Sequence, residues 1–294
     1  MFDSVQLLTL TTILRHGSLE GAAAEMGVTP SAISQRLKKL EDRAGRALIT
    51  RTTPCRVTEA GRAVAQHAED VGLMEAQLWR ALRKREHGIR RLRIAAGSDS
   101  ASSWLPAALG LAAIRLWDLA FEVVPDDAGQ SAEWLREGSI AAAVSERADP
   151  PTGCYSLPLG PMVYLPVLDR TCRTRHFRTG VSGALLREAP LLRFAPRDRL
   201  VADWMMRSFG VDRVQRVHDL PSPAAVVKAG VEGLGWSLSP RPLIRAELAE
   251  RRLLPLVGPR YPTVPLYWHA PKRLRAELSQ LQASIASAAR TQLR

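Results

Sequence analysis

The segment "SLEGAAAEMGVTPSAISQRLKKLEDRAG", residues 18–45, leaves the chain little choice of local fold. Ser18 can cap a helix through "LEGAAAEMG" that closes at Gly27, and "GVTP" restarts the chain in a second helix. Thr29 suits the N-cap, and Pro30 the first helical position, where its missing N–H costs nothing. Ile33, Leu37, Leu40 and Ala44 recur at spacings of four, three and four, so they share a face that must be buried. Ser31, Ser34, Gln35 and Lys38 project the other way, flanked by Arg36 and Lys39, until Gly45 ends the helix. The helical wheel alone leaves two meanings open: a solvated polar face, or a surface shaped to lie in a DNA groove. The alanines at 22–24 suit close packing. With a first helix from Asp3 to His16, the segment has the proportions of a helix-turn-helix.

"ALITRTTPCRVTEAG" then reads as two short strands around a Thr-Pro turn, a wing that carries Arg51 and Arg56 toward phosphates or the minor groove. Thr58 begins a long helix. Ala60, Val64, His67, Val71, Met74 and Leu78 form a short coiled-coil seam along it. A helix packed on its own domain would show a similar stripe. Nothing else in the N-terminal unit reads as long enough to cover it, which favours dimerisation. "LRKREHGIRR" (82–91) is a charged hinge.

From residue 92 strands and helices alternate: "LRIAAG", a helix with Leu105, Leu109 and Ile114, "LAFEVVPDD", "AEWLREG" and "IAAAVS". That repetition predicts a parallel α/β sheet. "VYLPVLD" opens a second set with "APLLRFAP", a helix from Leu200 to Phe209 and "SPAAVVKAGVEGLGWSLSP". "VPLYWHAP" returns to the first set, and a helix from Lys272 to Gln292 closes the chain. Two α/β lobes joined by two crossovers make a clamshell, a shape that holds a small ligand between its halves. The expected layout is a winged helix-turn-helix over 1–58, a linker helix and hinge over 59–91, one lobe over 92–161 and 268–294, and the other over 162–267.

Composition narrows the function. A formal net charge of +12 favours an anionic partner, with double-stranded DNA the first candidate. No apolar run reaches membrane-span length and no signal core follows the N-terminus, so the expectation is a cytoplasmic protein without membrane attachment. Cys55, Cys154 and Cys172 are widely spaced and read as reduced structural thiols, with a Cys154–Cys172 redox pair the lesser alternative. The histidines His16, His67, His87, His176, His218 and His269 lack metal-ligand spacing, so no metal is expected. There is no G-x-S-x-G elbow, no phosphate-binding G-x-x-x-x-G-K loop and no H-E-x-x-H. "GVEGLG" follows a helix and precedes a strand, the reverse of a dinucleotide loop. An enzyme is not expected.

"GSLEGAAAEMGVTPSAISQRLKKLEDRAGRALITRTTPCRVTEAG" carries an S-x-x-S-Q-x-[LI]-x-x-L-E helix and an R-x-x-x-x-R-x-T-x-x-G wing, and "VVKAGVEGLGWSLSP" lies downstream. On these motifs the sequence strongly resembles the LysR-type transcriptional regulators over essentially its whole length. "RTTPCRVTEAG", "GSDSASSWLPAAL", "LREGSIAAAVSERADPP" and "VPLYWHAP" are similar to the branch that controls export of lysine and arginine. The resemblance implies an N-terminal all-α winged helix-turn-helix, a long linker helix that dimerises, and a two-lobe α/β effector domain like periplasmic solute-binding proteins. It also implies homotetramers built as dimers of dimers, contact with RNA polymerase and a small-molecule co-effector in place of a cofactor.

Many members of the family carry glutamine where this chain has Pro30, a contact that proline cannot supply. Base reading is therefore expected from Ser31, Ser34 and Gln35, with Gln35 foremost because an amide can bond an adenine edge at two points. Thr29, Arg36, Lys38, Arg51 and Arg56 are the remaining DNA candidates, the bases among them for phosphates or the minor groove. For a basic amino acid such as lysine or arginine, the backbone and hydroxyls of Ser98, Ser100 and Ser102 would cradle the α-carboxylate, while Asp99, Asp127 and Asp198 would meet the cations. Asp126 reads equally as a helix cap. The arginines Arg170, Arg173, Arg175, Arg178, Arg193, Arg197 and Arg199 of the second lobe would instead suit an acidic or aromatic carboxylate inducer. A nucleoid-type protein that binds DNA without an effector is a further alternative, but it leaves the clamshell without a purpose.

Overall fold

The structure is a computed structural model that describes residues 2–50, 52, 54–81, 90–194, 199–256 and 261–293. Its N-terminal helices begin where side-chain caps satisfy free N–H groups. The Asp3 carboxylate accepts from Val5 and Gln6 at the start of α1 (Ser4–His16), and the Ser18 hydroxyl accepts from Gly21 at the start of α2 (Leu19–Met26). Thr29 accepts from the Ala32 N–H, with Pro30 the first residue of α3 (Pro30–Ala44). Leu7, Leu10 and Ile13 of α1, Ala22 and Ala23 of α2, and Ile33, Leu37 and Leu40 of α3 bury into one core. Arg15 and His16 both pair with Glu25 and tie the end of α1 to α2. The hydrogen bond from His16 is the main reason the Glu25 carboxyl sits below its ordinary pKa.

The wing strands β1 (Ile49–Thr50) and β2 (Arg56–Val57) pair antiparallel, Ile49 opposite Val57. They are bound to the helices at several points: the Leu48 N–H donates to Glu41 of α3 at 2.8 Å, and the Cys55 N–H to the Gly17 carbonyl at 2.7 Å. Thr58 closes the wing and opens α4 (Glu59–Ala81) with one hydroxyl, which donates to the Ala47 carbonyl at 2.8 Å and accepts from the Gly61 N–H at 3.0 Å. α4 passes so close to the wing that a β-carbon at Gly61 would lie 1.8 Å from the Leu48 carbonyl oxygen.

The stripe on α4 differs from expectation. The N-terminal unit does cover its first turns: Ala60 and Val64 pack on the three-helix core beside the buried Ala65 and Ala68, and the Phe2 ring lies 6.0 Å from that of His67. Further along, Met74 is exposed, and the Leu78 side chain lies outside the described residues.

The remainder is α/β. The first lobe comprises β3 (Arg90–Ala96), α5 (Ser98–Ala101), α6 (Leu105–Ala113), β4 (Leu119–Pro125), α7 (Ser131–Glu137) and β5 (Ala142–Ser145). β6 (Cys154–Leu168) crosses to the second lobe, made of α8 (Arg170–His176), α9 (Gly183–Glu188), β7 (Leu191–Phe194), α10 (Arg199–Phe209), β8 (Val217–Leu220), α11 (Pro223–Val231), β9 (Trp236–Pro240), α12 (Arg245–Ala249) and β10 (Leu254–Pro255). β11 (Thr263–Pro271) returns, and α13 (Ser279–Gln292) packs back on the first lobe. The strand order is β4-β3-β5-β11-β6-β9-β7-β8, with β10 paired on β6. β3 runs parallel to β4 and β5, and β7 parallel to β8 and β9, whereas β6 and β11 run antiparallel to their neighbours.

Two expectations about element ends change. β3 starts at Arg90, inside the expected hinge, whose residues 82–89 lie outside the described residues. The expected closing helix is interrupted: a 3-10 turn covers Lys272–Leu274, and α13 begins only at Ser279. Both the N–H and the hydroxyl of Ser279 donate to the Ala276 carbonyl, and that three-residue closure competes with the four-residue bond of an α-helix. Trp104 and Trp204 are buried, and Trp134 of α7 packs on the cluster around Leu135 and Cys154, so all three serve packing.

Gly61→Ala tests how tightly α4 is set against the wing. A backbone oxygen cannot rotate away, so the expected cost is about 1–3 kcal/mol or more of N-terminal domain stability. Thermal unfolding followed by circular dichroism should show a lower midpoint; an unchanged one would mean that α4 and the wing are not held together.

Candidate functional site

The outward face of α3 has the character the wheel assigned to it. Ser31, Gln35 and Lys38 are exposed, Ser34 and Arg36 are half-buried at the margins, and Ile33, Leu37 and Leu40 are fully buried beneath them. Residues 31, 35 and 38 follow at spacings of four and three, so one outward surface presents all three together. The Thr29 hydroxyl is engaged as a cap, and Arg56 is exposed on β2 with its carbonyl accepting from the Thr50 hydroxyl. Arg51 lies outside the described residues. A rigid scaffold thus carries the polar face: Glu41 holds the wing to α3, and the glutamate of α2 holds α1.

The second candidate site lies where the parallel strands β3 and β4 end. α5 starts directly after Gly97, and the Asp126–Asp127 pair follows β4 beside it. Asp127 turns its carboxylate onto Ser98, accepting from the N–H at 2.8 Å and from the hydroxyl at 2.6 Å. The cradle expected for a ligand carboxylate therefore already holds a carboxylate of the protein. Ser100 is buried, Ser102 is exposed, and Asp126 accepts from the Gln130 and Ser131 N–H groups as a cap to α7. Asp99 points elsewhere. It accepts a 2.7 Å hydrogen bond from the Tyr164 hydroxyl, and the two residues line an open cleft with Arg193, Phe194, Val226 and Ser239. Asp198 lies outside the described residues.

Arg193 reaches this cleft from β7. Its Nε and Nη2 donate to the Asp219 carboxylate on the neighbouring strand β8, at 2.8 and 3.2 Å. That bond holds the Asp219 carboxyl below the ordinary carboxylate range. Arg170, Arg173 and Arg175 of α8, Arg178 beyond it and Arg199 are exposed and do not line the cleft, while Arg197 lies outside the described residues. Among the described residues, no group of three or more His, Cys, Asp or Glu side chains could hold a metal, and no helix is long and apolar enough to cross a membrane.

Residues 5–62 match the model of the bacterial regulatory helix-turn-helix protein of the lysR family, and residues 85–290 match the LysR substrate binding domain. The chain belongs to the LysR family. The HTH-type transcriptional regulator ArgP of Pseudomonas aeruginosa is 35% identical over 272 residues, 92% of this chain and 90% of that protein. The lysine export transcriptional regulatory protein LysG of Corynebacterium efficiens is 35% identical over 294 residues, covering 99% of each chain. Full-length LysG from Corynebacterium glutamicum with bound effector Arg superposes with a TM-score of 0.70 at 32% identity, covering both chains completely. This LysR-family chain is therefore a DNA-binding transcriptional regulator with an N-terminal helix-turn-helix and a C-terminal two-lobe effector-binding domain.

Sequence reasoning did not single out Tyr164, Asp219 or Ser239, and it named Arg193 only as one of several bases. Tyr164 sits inside the apolar-looking run "VYLPVLD", yet its hydroxyl is placed at the point where β6 changes lobes. A polar group in a crossover strand was the available signal. Arg193 and Asp219 become neighbours only through the parallel register of β7 and β8.

Two of this regulator's three thiols stand apart from its sites. Cys154 lies in the apolar cluster under α7 and Cys172 in the second lobe's core. Burial raises both thiols, Cys172 to about 11, and so suppresses the nucleophilic thiolate at neutral pH. Thiol labelling of the native protein at pH 7 should therefore modify Cys55 first, with Cys154 and Cys172 reacting at least about tenfold more slowly until denaturant is added. Equal rates in the native state, read by peptide mass spectrometry, would contradict this burial.

Proposed function

We propose that this regulator takes a basic amino acid, arginine or lysine, as its effector, and that it acts on the gene of an amino-acid exporter. The observation that carries the reading is Asp99, set in the interlobe cleft by Tyr164, where a carboxylate faces any guest from the side opposite β7. LysG, with its bound effector Arg and its lysine-export role, supports both the ligand class and the target. An acidic inducer is disfavoured because the arginines of α8 stay outside the cleft and Arg193, which lines it, is paired with Asp219. The effector takes the place of a cofactor, and the chain does no chemistry on it. Double-stranded DNA, the effector, RNA polymerase and further copies of the chain are the partners, with α4 the dimer helix and the cytoplasm the place of action.

Ser31, Ser34 and Gln35 read bases on this view, and Arg36, Lys38, Arg51 and Arg56 hold the backbone, with Thr29 fixing the helix start against it. Ligand closing the two lobes changes the angle between subunits and hence the bend of the bound DNA.

Titration with operator and random DNA tests the reading helix. Gln35→Ala should lower the operator-to-random affinity ratio by about tenfold or more while total affinity changes less. Arg56→Ala should weaken both DNAs alike and reduce the salt slope by about one. An unchanged ratio in Gln35→Ala would remove that residue from base reading. Calorimetry with arginine, lysine and glutamate tests the effector class: heat with the first two and none with glutamate is expected, and the reverse would establish an acidic inducer.

A further inference from the structure

Resting on the basic amino-acid reading above, we propose that Arg193, oriented by Asp219, anchors the effector's α-carboxylate, so that the cleft selects zwitterionic amino acids over simple amines. One expected carboxylate site cannot serve. Ser98 was the natural cradle for that carboxylate, but its N–H and hydroxyl both donate to Asp127. A ligand carboxylate there would have to displace a carboxylate that is covalently part of the protein. It would also enter beside the charge of Asp127, which repels it.

On the other wall, Arg193 is the one cation among the described cleft-lining residues. Asp219 takes two of its three guanidinium nitrogens, and Nη1 has no partner among the described residues. The guanidinium fork therefore has a fixed plane with donors still to offer, the geometry that carboxylates accept best. Arg193 is half-buried, and its guanidinium cannot lose its charge.

The pairing with Asp219 also tunes the field. An unpaired arginine would draw in dicarboxylates and repel a ligand with a second cation. Balanced by Asp219, Arg193 remains a directional donor with little net charge, and Asp99 across the cleft sets the sign that the guest's ammonium or distal cation meets. One wall thus reads the carboxylate and the other the cations. A molecule holding both groups spans the two lobes, whereas an amine lacking the carboxylate engages only one.

Calorimetry on the full-length protein with arginine and with agmatine, its decarboxylated form, tests this directly. Wild type should bind arginine at least tenfold more tightly than agmatine. Arg193→Met should weaken arginine at least tenfold and leave agmatine unchanged, which collapses the ratio. Asp219→Asn should lower the same ratio by a smaller factor, and Arg193→Lys should restore part of it. Thermal melts of each variant confirm folding, and the agmatine affinity serves as an internal control for the cleft. If Arg193→Met weakens both ligands equally, or neither, Arg193 is not the carboxylate anchor although the basic effector stands. If wild type binds neither arginine nor lysine, the effector reading itself fails and this inference with it.

Discussion

β6 is one strand that belongs to two sheets, and the regulator's sensing half is built around that fact. From Cys154 to Val163 it pairs with β11 in the first lobe, and from Tyr164 to Val167 with β9 in the second. Backbone hydrogen bonds therefore run without a break through the point where the lobes meet. The first residue past that point is Tyr164, whose hydroxyl reaches back to Asp99 in the first lobe. A crossover strand laddered to β11 in one lobe and to β9 in the other cannot shift register without losing those bonds. The lobes can thus change their angle about it but cannot slide. Placing a polar residue there puts the cleft's carboxylate under the control of the hinge strand itself.

The DNA-facing half depends on a close approach of a different kind. α4 serves three masters in turn: its first residues complete the helix-turn-helix core, Gly61 admits the Leu48 carbonyl of the wing, and later residues lie against the first lobe. Arg62 pairs with Glu137 at 3.0 Å, Asp70 pairs with Arg273, and Gly138, in a left-handed conformation, brings its backbone close to Gln66. Each exposed pair contributes at most about 1 kcal/mol, so these contacts orient more than they stabilise. Together they make the linker helix ride on the lobe that supplies Asp99.

The split between what the sequence discloses and what it hides follows the range of the interactions. Asp3, Ser18, Thr29 and Thr58 announce helix starts through caps completed within three residues, and Ile33, Leu37 and Leu40 mark a buried face by spacing alone. Local rules suffice there. The cleft is different, since each decisive contact joins strands far apart in the chain. Asp127 looked like a ligand-binding acid because nothing nearby shows that Ser98, across the parallel pair β3 and β4, would claim it. The α4 stripe is a similar case: its periodicity was legible, but the N-terminal core on which Ala60 and Val64 pack exists only once the shorter helices have come together. Ser279 shows the opposite case, a local competitor for one carbonyl that a purely apolar pattern overlooks.

The short range of interactions inside the cleft also resolves an apparent conflict of charge. A chain with a formal net charge of +12 is an unpromising receptor for a cationic amino acid if its field is treated as uniform. The exposed bases, however, include Lys38 of α3, Arg56 of the wing and those of α8, all outside the cleft, which offers Asp99 and an arginine already paired with Asp219. At physiological ionic strength, exposed charges are screened beyond a Debye length of about 8 Å, while partly buried groups inside the cleft are screened far less. A guest between the lobes therefore responds mainly to the few side chains that touch it. On the proposed reading, this separation of fields is what lets one basic polypeptide hold a polyanion on one domain and a cationic small molecule in the other.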